Sequence, residues 1–232
     1  MILYQFISTG THDIRPEKNT IYLDVGNTLA PCIIDHHHLS EPACTADLLA
    51  AYPHLVLKAV PQGSRDYTIV MHRSPDLDCV WSACMTQHLV AEGSLPERFS
   101  VITAYIRDVD QGKIRRPDPR NPAIYEVYEM LRSTSKTDEE LVRRGLELFS
   151  FVLERLPEHP RPNDLSSLFA GDHPYTREVE ELKADLLKYE RDLKDPGKII
   201  PVSLPLPHRK TGIPVTTDGI IYRDPTATHF KL

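Results

Sequence analysis

The chain has 232 residues, of which 41% are apolar and 26% charged, and a formal net charge of −6. That length suits one large domain, or one domain with a smaller attachment, and the charge gives no reason to expect a nucleic-acid coat or an anionic-membrane binder. No segment approaches the ~20 apolar residues of a membrane helix, so no membrane partner is expected.

The opening ILYQFIS at 2–8 reads as a strand; it lacks the basic leader and cleavage site of a secretory signal. TIYLDV at 20–25 and CIID at 32–35 read as two more strands, each ending at or beside an acid. A helix is predicted over 43–51, a strand over 67–72 (YTIVMH), and a helix over 77–91, a stretch without a breaker. This β-then-α succession predicts an α/β fold with a mostly parallel sheet flanked by helices. Over 97–110, Ile102, Tyr105, Ile106 and Val109 share one helical face. A helix over 138–156 is expected to start at Thr137, with Glu140 at capping-box spacing. Residues 175–193 carry a narrow apolar seam on a highly charged helix, which leaves a homodimer open.

Prolines crowd the second half, at 117, 119 and 122, at 157, 160 and 162, and at 201, 205 and 207. Each cluster interrupts regular structure. The expected organisation is an α/β domain over 1–160, a helical connection over 161–197, and a small β-rich segment over 198–232 that reads as the start of a truncated substrate lobe. The cysteines Cys32, Cys44, Cys79 and Cys84 form no CxxC pair, and scattered thiols imply a reducing, cytoplasmic setting.

Three stretches place acids and imidazoles at predicted strand ends: Asp24; Asp35, His36, His37 and His38; and His72, Asp76 and Asp78. Loops beyond the carboxyl ends of a parallel sheet converge, so these groups are candidates for one shared site. Taken singly, each has a plainer explanation. Asp24 fits a strand-end turn, the histidine run fits a polar loop, and Asp76 fits a helix cap. Together they form a donor set of carboxylates and imidazoles suited to manganese, iron, magnesium or zinc.

The DHH at 35–37 and HRSPDLD at 72–78 resemble two signature motifs of the DHH phosphoesterase superfamily. YLDVG resembles its aspartate at a strand end, and YIRDVDQG its aspartate before a glycine. The resemblance covers roughly the first half of the chain. The motif order departs from the family's, since DHH here precedes the HxxxDxD stretch, as in a circular permutation. Cys79 stands where the family usually has alanine, and reads as a small buried residue.

The resemblance implies a metal-dependent phosphohydrolase that cleaves a phosphoester or phosphoanhydride by two-metal activation of water. Two Mn2+ ions are expected, with Mg2+ or another divalent metal as substitutes. His72, Asp76 and Asp24 would hold one ion; Asp78, Asp24, His36 and Asp110 the other, with Asp24 bridging. Asp110 is preferred to Asp108 because it projects nearer the apolar helix face and precedes the glycine; Asp108 would then accept a hydrogen bond from a ligand histidine. His37 and Asp35 are the expected catalytic groups, and His38 faces solvent. The basic pairs and clusters Arg115, Arg116, His208, Arg209 and Lys210 are candidates to grip a small phosphorylated substrate such as pyrophosphate, polyphosphate or a short nucleotide. The plainer reading of these basic residues is a solvated loop. Two other readings stand beside this one: an inactive metal- or nucleotide-sensing module of the same fold, and hydrolysis of another bond such as an amide.

Overall fold

The computed structural model describes residues 1–39, 43–113, 123–156, 165–177, 179–181, 184, 200–201 and 220–221. These fall into two compact units, Met1–Ile114 with Thr134–Leu165, and Arg115–Ser133 with Ser166–Leu232. The first is an α/β unit with a mostly parallel sheet. Its strands are β1 (Ile2–Ile7), β2 (Thr20–Leu23), β3 (Leu29–Ala30), β4 (Ile33–Ile34) and β5 (Tyr67–His72). Its helices are α1 (Thr45–Ala51), α2 (Pro53–Ala59), α3 (Leu77–Glu92), α4 (Phe99–Asp110) and α6 (Asp138–Arg155). The second unit contains α5 (Ile124–Thr134, whose last residue belongs to the first unit), a 3-10 turn at Ser166–Phe169, and a two-stranded pair of β6 (Ile200–Pro201) and β7 (Ile220–Ile221).

The sheet order is β1-β5-β2-β4-β3, with β1, β5, β2 and β4 mutually parallel and β3 antiparallel to β4. Every residue of β2 is buried, which explains its continuous apolar run: a parallel strand covered on both faces has no solvent side. The register decides where the site forms. Leu23 lies opposite Ile34, and Tyr22 opposite Val70. Extended to the tips, this brings Asp24 level with Asp35 on one neighbour and His72 on the other.

Helix α3 has Asp76 as its N-cap, whose side chain accepts from the Cys79 N–H, and it stops at Gly93 in the left-handed conformation (φ 79°). Most of its sides are buried, so it acts as the central post of the unit. Its Trp81 ring lies 5.0 Å from Phe99 and 4.8 Å from Phe149, and its indole N–H donates to Thr103 Oγ1 at 3.0 Å. The cap expected at Thr137 forms, since its hydroxyl accepts from the Glu140 N–H. Glu140 reaches back one residue further than a capping box requires, to the Lys136 N–H.

Short elements β3, α2 and α5 were not anticipated by the sequence reading. Of the charged helix expected over 175–193, residues 178, 182–183 and 185–193 lie outside the described residues. Within 198–232 only the β6–β7 pair is described. No helix among the described residues is long and apolar enough to cross a membrane.

Because Trp81 fixes α3 against two other helices and satisfies its only polar atom, Trp81→Ala should destabilise the chain by about 3–5 kcal/mol. Urea unfolding measures this, and an unchanged midpoint would contradict the role given to α3.

Candidate metal centre

Asp24 follows β2 with φ 58°, a left-handed conformation that costs most residues energy and that short polar side chains tolerate best. Gly26, two residues on, has φ 105°, and a Cβ there would meet Ile33 at 2.8 Å. The tight turn after β2 therefore needs glycine, and it turns the chain back toward β4.

Asp24 is 4% exposed. Its Oδ1 accepts from Thr45 Oγ1 at 3.0 Å and lies 3.3 Å from His36 Nε2 and 3.5 Å from His37 Nδ1. Its Oδ2 lies 3.2 Å from His72 Nε2. His72 donates through Nδ1 to the Arg73 carbonyl at 2.9 Å, which leaves Nε2 to face the acid. Asp24 thus belongs to two sets of donors, one with His36 and His37, the other with His72 and Cys79, each set lying within 4.8 Å of one another.

Asp35 is almost fully buried and works as a bracket. One oxygen accepts from the Asn27 N–H at 2.6 Å, and the other from the His37 N–H at 2.9 Å and from His37 Nδ1 at 2.6 Å. His37 is half-exposed, with its Nδ1 thereby occupied. His38 is exposed, as expected.

Asp78 is 2% exposed and accepts from the Thr45 N–H at 2.8 Å and the Ala46 N–H at 3.1 Å, tying α1 to α3. Asp76 and Asp110 are half-buried. Both charges act on Asp78, Asp76 also acts on His72, and Asp110 on His36. Asp108, the candidate acceptor for a ligand histidine, instead pairs with Lys113 at 3.0 Å on the surface. Arg115, Arg116, His208, Arg209 and Lys210 lie outside the described residues.

Electrostatics bind these groups into one system. Burial works against the charge on Asp24, but hydrogen bonds from His36 and His72 outweigh it and hold the carboxyl far below the usual range. Burial likewise opposes charge on His36, yet Asp24, Asp78 and Asp110 push its pKa up to about 9. His72 rises to about 12 against the same opposition, driven by Cys79, Asp24 and Asp76. Asp78 moves well upward through burial and then through Asp24, Asp76 and Asp110. The Cys79 thiol is pushed up to about 12, chiefly by burial.

This donor chemistry fits divalent cations. The charges of Asp24, Asp76 and Asp110 act on Asp78, and protonated His36 and His72 offset part of that repulsion; a dication would do the same with more charge and shorter contacts. Thr45, Asn27 and Cys79 belong to the site although the sequence reading did not place them there. A small hydroxyl residue at the first position of α1 was the available signal for Thr45.

Compared with protein-family models, curated proteins and solved structures, the chain matches none.

The pH dependence follows in sign. A histidine whose folded pKa is raised contributes stability fully below its unfolded value near ~6.5 and loses it as pH rises through the folded value. For His36 the window runs from about 6.5 to about 9, and for His72 up to about 12. The metal-free chain should therefore lose thermal stability as pH rises above ~6.5. Added Mn2+ should flatten or reverse that slope in a melting series. A metal-free stability that climbs from pH 7 to 9 would be incompatible with these pairings.

Proposed function

We propose that this chain is a cytoplasmic metal-dependent phosphohydrolase of the DHH phosphoesterase kind, acting on a small phosphorylated substrate such as pyrophosphate, polyphosphate or a short nucleotide. The observation that carries this reading is the position of Asp24. It stands on the middle one of three adjacent strand tips, with His36 on one of its oxygens and His72 on the other. A carboxylate shared in this way suits a pair of cations, and few other arrangements reward burying one acid among so many.

Asp24, His72 and Asp76 would hold one cation; Asp24, His36, Asp78 and Asp110 the other. When bound, such a pair supplies Lewis-acid polarisation of a phosphoryl oxygen and acidifies a water for in-line attack. The chain's own groups do the rest. Asp35 fixes the half-exposed His37 ring through Nδ1, so Nε2 is the nitrogen that would meet a substrate. The Asp35 hydrogen bond raises the His37 pKa, which favours a protonated ring able to donate to a phosphoryl oxygen or leaving group. Thr45 and Asn27 hold the two aspartates in place. No serine or cysteine nucleophile takes part in this scheme.

A manganese-supplemented panel of pyrophosphate, polyphosphate, a linear dinucleotide and an aryl phosphate tests the reading. Turnover of at least one is expected; none, despite bound manganese, would favour the sensing module or hydrolysis of a different bond. Asp24→Asn keeps the size and backbone tolerance of the residue but removes its charge. It should cut turnover by more than the ~100-fold typical of losing a group that only orients a ligand, while the chain stays folded. His37→Gln should lower kcat about 10²–10⁴-fold with manganese affinity retained. Loss of binding instead would make His37 a ligand.

A further inference from the structure

We infer that Cys79 is a metal ligand, supplying a thiolate to the half of the centre formed by Asp24 and His72, and that this half therefore takes a borderline cation such as zinc or iron(II) in preference to manganese. The inference rests on the metal-centre reading above and adds a donor to it.

Cys79 Sγ lies within 4.8 Å of the donor atoms of both Asp24 and His72, and all three residues are buried. In a tetrahedral zinc site, with Zn–S near 2.3 Å and Zn–N or Zn–O near 2.0–2.1 Å, donor atoms stand roughly 3.3–3.6 Å apart. The His72 Nε2–Asp24 Oδ2 separation is already 3.2 Å. The sulfur bonds to His72, its neighbour in the set, and beyond that only weakly to the Leu23 carbonyl at 3.8 Å among the described residues. The site is thus nearly drawn together around a point that all three can reach.

Position on the fold supports the same assignment. Cys79 sits in the first turn of the sixteen-residue α3, at the end where the helix dipole favours an anion. Its backbone is fixed there by Asp76, whose side chain accepts the Cys79 N–H at 3.0 Å. His72 presents Nε2 inward because its other nitrogen is spent on the Arg73 carbonyl. The donors assigned to the other half are carboxylates and one imidazole, although the Cys44 thiol also bonds to Asp78 there. The two halves therefore differ in softness, and sulfur favours zinc or iron(II) over the hard cations that carboxylates suit. As the cation binds, the Cys79 thiol proton and the proton on His72 Nε2 pass to solvent, and no oxidant or reductant takes part.

Cobalt(II) is the probe, added to the metal-free 232-residue chain. Wild type should show visible d–d bands, which report binding, together with a near-ultraviolet sulfur-to-cobalt charge-transfer band. Cys79→Ser should lose the charge-transfer band and keep cobalt binding. Cys44→Ala is the control, because Cys44 is the other buried thiol near the centre, bonded to Asp78. Its charge-transfer band should persist. In competition titrations, Cys79→Ser should weaken zinc at least about tenfold and manganese far less. Cobalt bound by wild type without a charge-transfer band, or a band that survives in Cys79→Ser or disappears in Cys44→Ala, overturns the assignment and leaves the metal centre standing. Absence of any cobalt binding overturns both.

Discussion

The arrangement depends on one buried carboxylate held in a left-handed turn. Asp24 ends the innermost strand, and the φ of 58° at that residue turns the chain out of the sheet at the point where its side chain meets His36, His72 and Thr45. An unpaired carboxylate so deeply buried would cost several kcal/mol. Here the cost is offset by two imidazoles and a hydroxyl, each delivered by a different segment. Removing the charge would leave those groups without their common partner.

The rest of the α/β unit can be understood as support for that acid. Adjacent parallel strands bring His72 and Asp35 to its level, because the registers Tyr22 to Val70 and Leu23 to Ile34 run on into the loops. Helix α1 is drawn in by Asp78, which accepts its first two N–H groups, and α1 returns Thr45 to Asp24. Helix α3 carries Asp76, Asp78 and Cys79 in its cap and first turn, and its rigidity comes from Trp81 lodged between Phe99 and Phe149. Packing in the core thus fixes the separation of donor atoms at the sheet edge.

Much of this was legible in the sequence, for local reasons. Short β-branched runs ending in Asp24, Asp35 and His72 marked three strand tips, and the absence of breakers after Asp76 marked α3. The fold class followed from the alternation of strand and helix. What was not legible depended on contacts between distant segments. Nothing local says that β5 pairs with β2 on the side away from β4, although that order is what places Asp24 in the middle. Cys79 read as a small core residue because burial is what a thiol in an apolar helix ordinarily signifies; its nearness to His72 arises from the β5–α3 turn. Asp108 and Asp110 could be ranked from helical projection, and Asp110 does act on His36, while Asp108 turns to Lys113. Helix α2 had a signal that went unused, a proline at its first position.

The order of the motifs along the chain also loses its importance in three dimensions. In the family that the motifs resemble, the HxxxDxD stretch comes before DHH, and here it comes after. A site at the edge of a parallel sheet is specified by which strands are neighbours and how they are registered, and loops of different length can join the same strands in another order. With β4 on one side of β2 and β5 on the other, His36 and His72 reach Asp24 from opposite flanks whichever is synthesised first. What the connection does change is the loops themselves. On the His36 flank α1 brings Thr45 to Asp24, and on the other the turn from His72 into α3 brings Asp76 and Cys79. The two flanks therefore differ chemically even though they share a carboxylate, and any selectivity between two cations must originate in that difference.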